Sequence, residues 1–178
     1  MIEIRWHARA GQGAKSASQL LAMAQLRAGR FVQAFPEYGP ERGGAPLRTF
    51  NRADDRPIRR RYGITEPDVV VVIEPSLMGE VDVTAGLSPD GLLLVNGATP
   101  EGFAGRSLVV DAAAIADPRS VNVVMLGALA ASLGEPSLED LLASARELFG
   151  KRLAAPALEK LQAAIAGGFA SAETRAIA

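Results

Sequence analysis

Three short constellations hold residue types that could do chemistry. Gly11-Gln12-Gly13, followed by Lys15 and Ser16, makes a glycine-containing loop at the start of a helix-patterned run. A helix N-terminus presents unpaired amide hydrogens and a partial positive charge, so such a loop can hold an anion. Lys15 would add a charge there and Ser16 a hydroxyl. The spacing departs from the known phosphate loops: Ala14 separates Gly13 from Lys15, and a dinucleotide fingerprint needs a third glycine. Close packing of helix against strand is the other use for these glycines, and both readings stay open. The second constellation is residues 35–44 (FPEYGPERGG), where two prolines and three glycines forbid regular helix and disfavour a central strand. It concentrates Tyr38, Arg42 and Gly43 beside two glutamates, so it reads as a stiff loop that touches a partner or packs Tyr38 on its own scaffold.

The third is a run of arginines at 42, 48, 52, 56, 59, 60 and 61. Residues 1–61 hold twelve Lys/Arg against five Asp/Glu, while residues 62–178 hold seven against fifteen. The arginines suit a polyphosphate, an acidic partner surface or a solvated strand edge. Nucleic acid is not expected, because the basic stretch has almost no aromatic side chains to stack on bases. The chain has no cysteine, so it can supply neither disulfides nor thiolate ligands for zinc or iron–sulfur clusters. His7, the single histidine, is expected to be structural, near a strand end from which it could face the loop. No nucleophile–base pair and no carboxylate pair stands out. Asn96 and Asn122 suit turn or capping roles.

These residues need a scaffold, and the patterning supplies one. Residues 2–6 alternate as a strand does. Ala17, Leu20, Leu21, Ala24 and Ala28 share one helix face, closed by Gly29. Strands follow at 31–35 and 46–51, with a turn at 54–57. Residues 68–74 (DVVVVIE) form a continuous β-branched run that implies burial on both faces, as in a parallel sheet, and Pro75 stops it. Residues 92–95 and 107–110 repeat the pattern. The last third is helical: 121–133 is apolar nearly all round, a central buried helix or a subunit contact. Ser137 caps a helix carrying Leu138, Leu141, Leu142, Ala145 and Phe149, and Pro156 opens a final helix that Gly167-Gly168 is expected to close. The expectation is one α/β domain over residues 1–178, a three-layer α/β/α fold with a mostly parallel central sheet and a helical C-terminal third. No apolar run is long enough to cross a membrane, and Met1 opens straight into a strand with no signal peptide, so the expected location is the cytoplasm.

In order along the chain, residues 4–13 (IRWHARAGQG), 35–45 (FPEYGPERGGA), 67–74 (PDVVVVIE), 95–96 (VN) and 122–128 (NVVMLGA) resemble the gamma subunit of the 2-oxoacid:acceptor oxidoreductases, the pyruvate:ferredoxin oxidoreductase group. The resemblance runs over about residues 2–168. It implies a heteromeric enzyme that oxidatively decarboxylates a 2-oxoacid such as pyruvate and releases an acyl-CoA. It also implies thiamine pyrophosphate, Mg and iron–sulfur clusters on partner subunits: thiamine-binding alpha and beta subunits and a ferredoxin-like iron–sulfur subunit. Coenzyme A is the cofactor the resemblance associates with this subunit. Gly11, Gln12 and Gly13 match the family's glycine–glutamine loop, with Lys15 next to it. Pro36, Tyr38, Gly39, Arg42 and Gly43 match its central motif, and Asn122, Leu126 and Gly127 its late helix. Ala8 and Ala10 stand where the family usually has glycine, which favours a packing role for the loop over close approach of a ligand. The competing reading is a free-standing module of the same fold that binds a CoA ester or nucleotide.

Overall fold

Val69, Val70, Val71 and Val72 carry no polar side chain to turn toward water, so this strand must be covered on both faces. A computed structural model describes residues 1–37 and 44–176, with side chains as far as residue 172. The strands are β1 (Ile2–Arg9), β2 (Phe31–Pro36), β3 (Pro46–Asp54), β4 (Val69–Val72), β5 (Leu92–Asn96) and β6 (Ser107–Val110). They form one six-stranded sheet in the order β2-β3-β1-β4-β5-β6. β1, β4, β5 and β6 pair in parallel, and β3 runs antiparallel to both β1 and β2. Helices α1 (Ala14–Arg27), α2 (Ala112–Ile115), α3 (Val121–Leu133), α4 (Leu138–Phe149) and α5 (Ala155–Ala176) complete the α/β architecture that the patterning predicts.

Alternation along β1 sorts the two faces. Ile4, Trp6 and Ala8 are buried toward the helices with Leu20, Leu21, Val71 and Leu94. The Trp6 indole N–H donates to Asn51 Oδ1 at 2.9 Å, and the Asn51 amide donates to the Ser18 carbonyl at 2.9 Å, which pins α1 to the sheet. Opposite, Val70, Val72, Leu93 and Val95 pack on Leu77 and Val83. A 3₁₀ turn (Pro75–Gly79) and the irregular chain after it form this thinner layer. Arg5, on the same face, tethers it by donating to the carbonyls of Val83 at 3.1 Å and Ala85 at 2.6 Å. Arg48 and Arg52 sit on β3, an interior strand and not a sheet edge, and Arg52 is fully buried.

α3 is the buried centre of the helical layer, so its apolar girth is satisfied within the chain and calls for no partner. α5 crosses it at backbone distance. A Cβ on Gly127 would stand 2.1 Å from the Ile165 carbonyl oxygen, and one on Gly168 2.0 Å from that of Val124. Gly167-Gly168 therefore does not close the final helix, which continues to Ala176. The contact with α3 outweighs the low helix propensity of glycine, about 1 kcal/mol per residue relative to alanine. Gly168→Ala is expected to destabilise the fold by about 2 kcal/mol or more, measured by urea unfolding. Gly79→Ala, with nothing within 4 Å of the added carbon, should shift stability by less than about 0.5 kcal/mol.

Candidate functional site

The chain leaves β1 toward the β3 side of the sheet and leaves β4 toward β5. The two connections diverge between neighbouring parallel strands, which opens a crevice at their carboxyl ends, the usual ligand position in such sheets. A cleft of about 680 Å³ lies there, lined by Gly11, Gln12 and Gly13 after β1, Ile73 and Glu74 after β4, and Asn96 at the end of β5. Its far wall is the entry to α3: Pro118, Arg119, Val121 and Asn122.

Hydrogen bonds across the crevice set its shape. Gln12 Nε2 donates to Glu74 Oε2 at 2.6 Å, and Gln12 Oε1 accepts from the Arg9 amide at 2.7 Å. Glu74 Oε1 accepts from the Ser76 amide at 3.1 Å and so caps the 3₁₀ turn. Partial burial works against the Glu74 charge, but hydrogen bonds from Ser76 and Gln12 and the nearby Arg9 outweigh it and hold the carboxyl below its usual range. Asn122 Nδ2 donates to the Gly13 carbonyl at 3.0 Å, tying α3 to the loop. Gly13 has φ 77°, and a Cβ there would lie 2.5 Å from Asn122 Nδ2, so both conformation and space require glycine. Asn96 Nδ2 donates to the Ile73 carbonyl at 3.2 Å and its Oδ1 accepts from the Ala112 amide at 3.3 Å, which joins the ends of β4 and β5 to α2.

α1 begins at the cleft without a side-chain N-cap hydrogen bond, whereas α3 continues a 3₁₀ turn (Pro118–Ser120) that the Asp117 carboxylate caps through the Arg119 amide at 2.9 Å. The first amides of α1 and the exposed guanidinium of Arg119, which makes no ion pair among the described residues, give the cleft a positive character. Glu74 adds an acceptor. The arrangement can bind a ligand with an anionic end and a donor end. It holds no nucleophile paired with a base.

Of the residues predicted to form the site, Gly11, Gln12 and Gly13 come together, and Asn122, read from the sequence as a turn or capping residue, lines the same cleft. Lys15 does not: Ala14, Ala17, Ser18 and Leu21 take the buried stripe of α1 and leave Lys15 in solvent. Tyr38, Arg42 and Gly43 lie outside the described residues. The ends of their loop do flank the site, because Ala10 N–H donates to the Ala45 carbonyl at 2.9 Å and Arg9 to the Gly44 carbonyl at 3.2 Å. Ala8 pairs with Leu47 inside β1 and needs no glycine. Glu74, Asn96 and Arg119 were not singled out as site residues by sequence. Glu74 and Asn96 each end a core-patterned strand, a signal that becomes readable once the strands are known to be parallel.

His7 is buried within β1, away from the cleft, and its Nε2 accepts from Arg5 Nε at 3.1 Å. Burial, then the charges of Arg5 and Arg48, push its pKa down to about 3. From pH 6.5 down to about 3 the unfolded chain binds a proton that the folded chain refuses. Stability present above pH 6.5 is therefore lost on acidification, at up to about 1.4 kcal/mol per unit. His7→Gln, which retains an acceptor, should show a shallower acid limb than the wild type in urea unfolding at pH 7 and pH 5. Gln12→Leu removes the clasp to Glu74, and amides 10–13 should then exchange hydrogen at least about tenfold faster. Unchanged exchange would mean that the clasp does not hold the loop.

Comparison with known proteins adds an independent line. The family model described as pyruvate ferredoxin/flavodoxin oxidoreductase matches residues 3–170. The pyruvate synthase subunit PorC of Thermotoga maritima is 47% identical over 179 residues, covering 94% of this chain and 93% of that one. The pyruvate/ketoisovalerate oxidoreductases common subunit gamma of Thermococcus kodakarensis is 44% identical, covering 86% and 89%. The crystal structure of the Thermotoga maritima pyruvate oxidoreductase subunit superposes with a TM-score of 0.81 at 42% identity over 95% of both chains. A 2-oxoglutarate:ferredoxin oxidoreductase from Magnetococcus marinus, solved with 2-oxoglutarate, coenzyme A and succinyl-CoA, shares the fold with a TM-score of 0.82 at 22% identity over 97% of this chain and 31% of that one.

Proposed function

Since the chain belongs to the pyruvate ferredoxin/flavodoxin oxidoreductase family, we propose that it is the gamma subunit of a heteromeric 2-oxoacid:acceptor oxidoreductase and holds coenzyme A at the cleft between β1 and β4. In that reaction the 2-oxoacid loses CO₂, the remaining acyl group is oxidised by two electrons that pass to the acceptor, and the CoA thiol takes up the acyl group. Thiamine pyrophosphate with Mg supplies the carbanion chemistry and iron–sulfur clusters carry the electrons. A chain without cysteine offers no thiolate to a cluster, which fits their placement on alpha, beta and ferredoxin-like partner subunits. This reading takes residues 1–178 as one domain. It assigns the protein to the cytoplasm, in keeping with the absence of a helix long and apolar enough to cross a membrane among the described residues.

The observation that carries the CoA assignment is the polarity of the cleft. The start of α1 and Arg119 supply positive character to the cleft, and Glu74 with Asn96 supplies acceptors. CoA has phosphates for the first and amide N–H groups along its pantetheine arm for the second. Lys15, exposed beside the loop, adds long-range attraction without lining the cleft. The stand-alone module is not favoured, because relatives covering nearly the whole chain are named as oxidoreductase subunits.

The chain purified at native expression level under anoxia should bring partner subunits, bound thiamine pyrophosphate and iron. The eluate should reduce a dye in a reaction that needs both a 2-oxoacid and CoA. Arg119→Glu should raise the KM for CoA about tenfold or more and leave the KM for the 2-oxoacid unchanged. A lone, colourless chain would overturn the subunit reading. Equal changes in both KM values would overturn the CoA site and leave the subunit reading intact.

A further inference from the structure

The arginines after β3 have no role in the cleft. β3 ends at Asp54, and neighbouring Ala53 pairs with Ile2 at the start of β1, so the chain beyond it lies at the opposite end of the sheet from the cleft. There it forms a strap before returning to β4. Arg56, Arg59 and Arg61 are exposed, and among the described residues none of the three makes an ion pair. Of this group Arg60 alone reaches a carboxylate, Glu3, at 3.3 Å. The two acids that precede them are engaged elsewhere, Asp54 with the amino terminus and Asp55 with Arg30 at 3.0 Å, so the charges of Arg56, Arg59 and Arg61 are left to solvent.

The strap is nonetheless firmly held. Gln33 Nε2 donates to the carbonyls of Arg60 at 2.9 Å and Ile58 at 3.4 Å. Arg52 donates to the Tyr62 carbonyl at 2.7 Å and pairs with Glu3 through its Nε. Its guanidinium lies over two rings, 5.4 Å from the centre of Phe35 and 5.3 Å from that of Tyr62. Arg52 is 0% exposed, yet the ring stacked on it is 61% exposed. Phe31, on the face of β2 shared with Gln33 and Phe35, is a second exposed ring. Aromatic side chains already ordered, standing among arginines without counter-charges, have the composition and low ordering cost of a protein–protein hot spot.

We propose that the strap of residues 56–62 is a docking surface for an acidic segment of a partner protein chain, with Tyr62 as its apolar anchor and Arg56, Arg59 and Arg61 as its charge-reading rim. The proposal rests on the reading of this chain as a subunit of a larger assembly. Charge complementarity selects an acidic occupant. Nucleic acid fits less well, because the strap offers one ring where a base track needs several, and the whole chain is slightly acidic, at −1.

The test uses the assembled complex. A triple charge reversal, Arg56→Glu with Arg59→Glu and Arg61→Glu, should weaken retention of this chain about tenfold or more at moderate salt. The thermal midpoint of the isolated variant should stay unchanged, since all three side chains are exposed. The matching triple lysine variant should assemble as the wild type does. A photo-crosslinking amino acid at position 62 should capture an acidic segment of another subunit. A charge-reversed chain retained as tightly as the wild type overturns the proposal. So does a crosslink to nucleic acid or to a second copy of this chain. A wild-type chain that purifies without partners overturns the subunit reading and the proposal together, a result distinct from an assembled wild type with an unresponsive variant.

Discussion

The divergence of the chain between β1 and β4 is the constraint on which the rest of the molecule depends. Two parallel strands lie side by side, and the segments leaving their carboxyl ends travel in opposite directions. Neither segment covers the gap between them: the β1–β4 ladder ends at the Ile73 amide on the His7 carbonyl, while the other edge of β1 stays paired with β3 as far as Pro46. Gln12 and Glu74 close the gap partway, with one side chain reaching from each tip. Ionised Glu74 fits this role, because its two oxygens accept separately from Gln12 and from the amide of Ser76. The clasp leaves the deeper cleft open while fixing its mouth.

The far wall depends on a different kind of contact. α3 delivers Asn122 to the Gly13 carbonyl only if the helix sits close to the loop. Its seat is set from behind by α5, where Gly127 and Gly168 let two helix backbones come within contact distance of each other. The glycine pair thus acts on the site at second hand, since a methyl group at that crossing would push the two helices apart. Packing against α5 and polar geometry in the cleft are joined within the first two turns of one helix. Gly13 meets the first turn of the same helix, with no room for a Cβ beside Asn122.

Much of this was legible in the sequence, and the reasons for success and failure are physical. Strands at 69–72 and 92–95 announce themselves because burial on both faces removes every polar residue from the run. β1 is longer than its alternation suggests, reaching Arg9, because its last residues are held by pairing with β3 from Pro46 onward. No local pattern reports that pairing. Gly167-Gly168 looks like a helix stop because glycine lowers helix propensity, but propensity is a small local term and the α3 contact is a tertiary one. The loop at 11–13 was found by its composition. Lys15 was assigned to it by nearness in sequence, and helix phase then turned that side chain to solvent. Arg119 reaches the cleft through the fold of a segment more than a hundred residues away, which composition cannot show.

The arginines show how little a residue count says about electrostatics. Arg5 and Arg52 are buried and act as ties: Arg5 holds the chain at 83–85, and Arg52 holds the strap through Tyr62 while answering Glu3. Burial, followed by repulsion from Arg48, lowers the pKa of Arg5. The carbonyls it faces and the neutral His7 ring let its charge persist there, and the same charge keeps His7 from taking up a proton. Arg56, Arg59 and Arg61 are the opposite case, with charge displayed and no acid to meet it among the described residues. Interior arginines are explained by the bonds they make within this chain. Exposed arginines on a strap held this firmly are not, because the ties that order the strap would be just as good with uncharged side chains at its surface. An acidic partner segment is the explanation proposed for them, and the end of the sheet they occupy lies opposite the cleft.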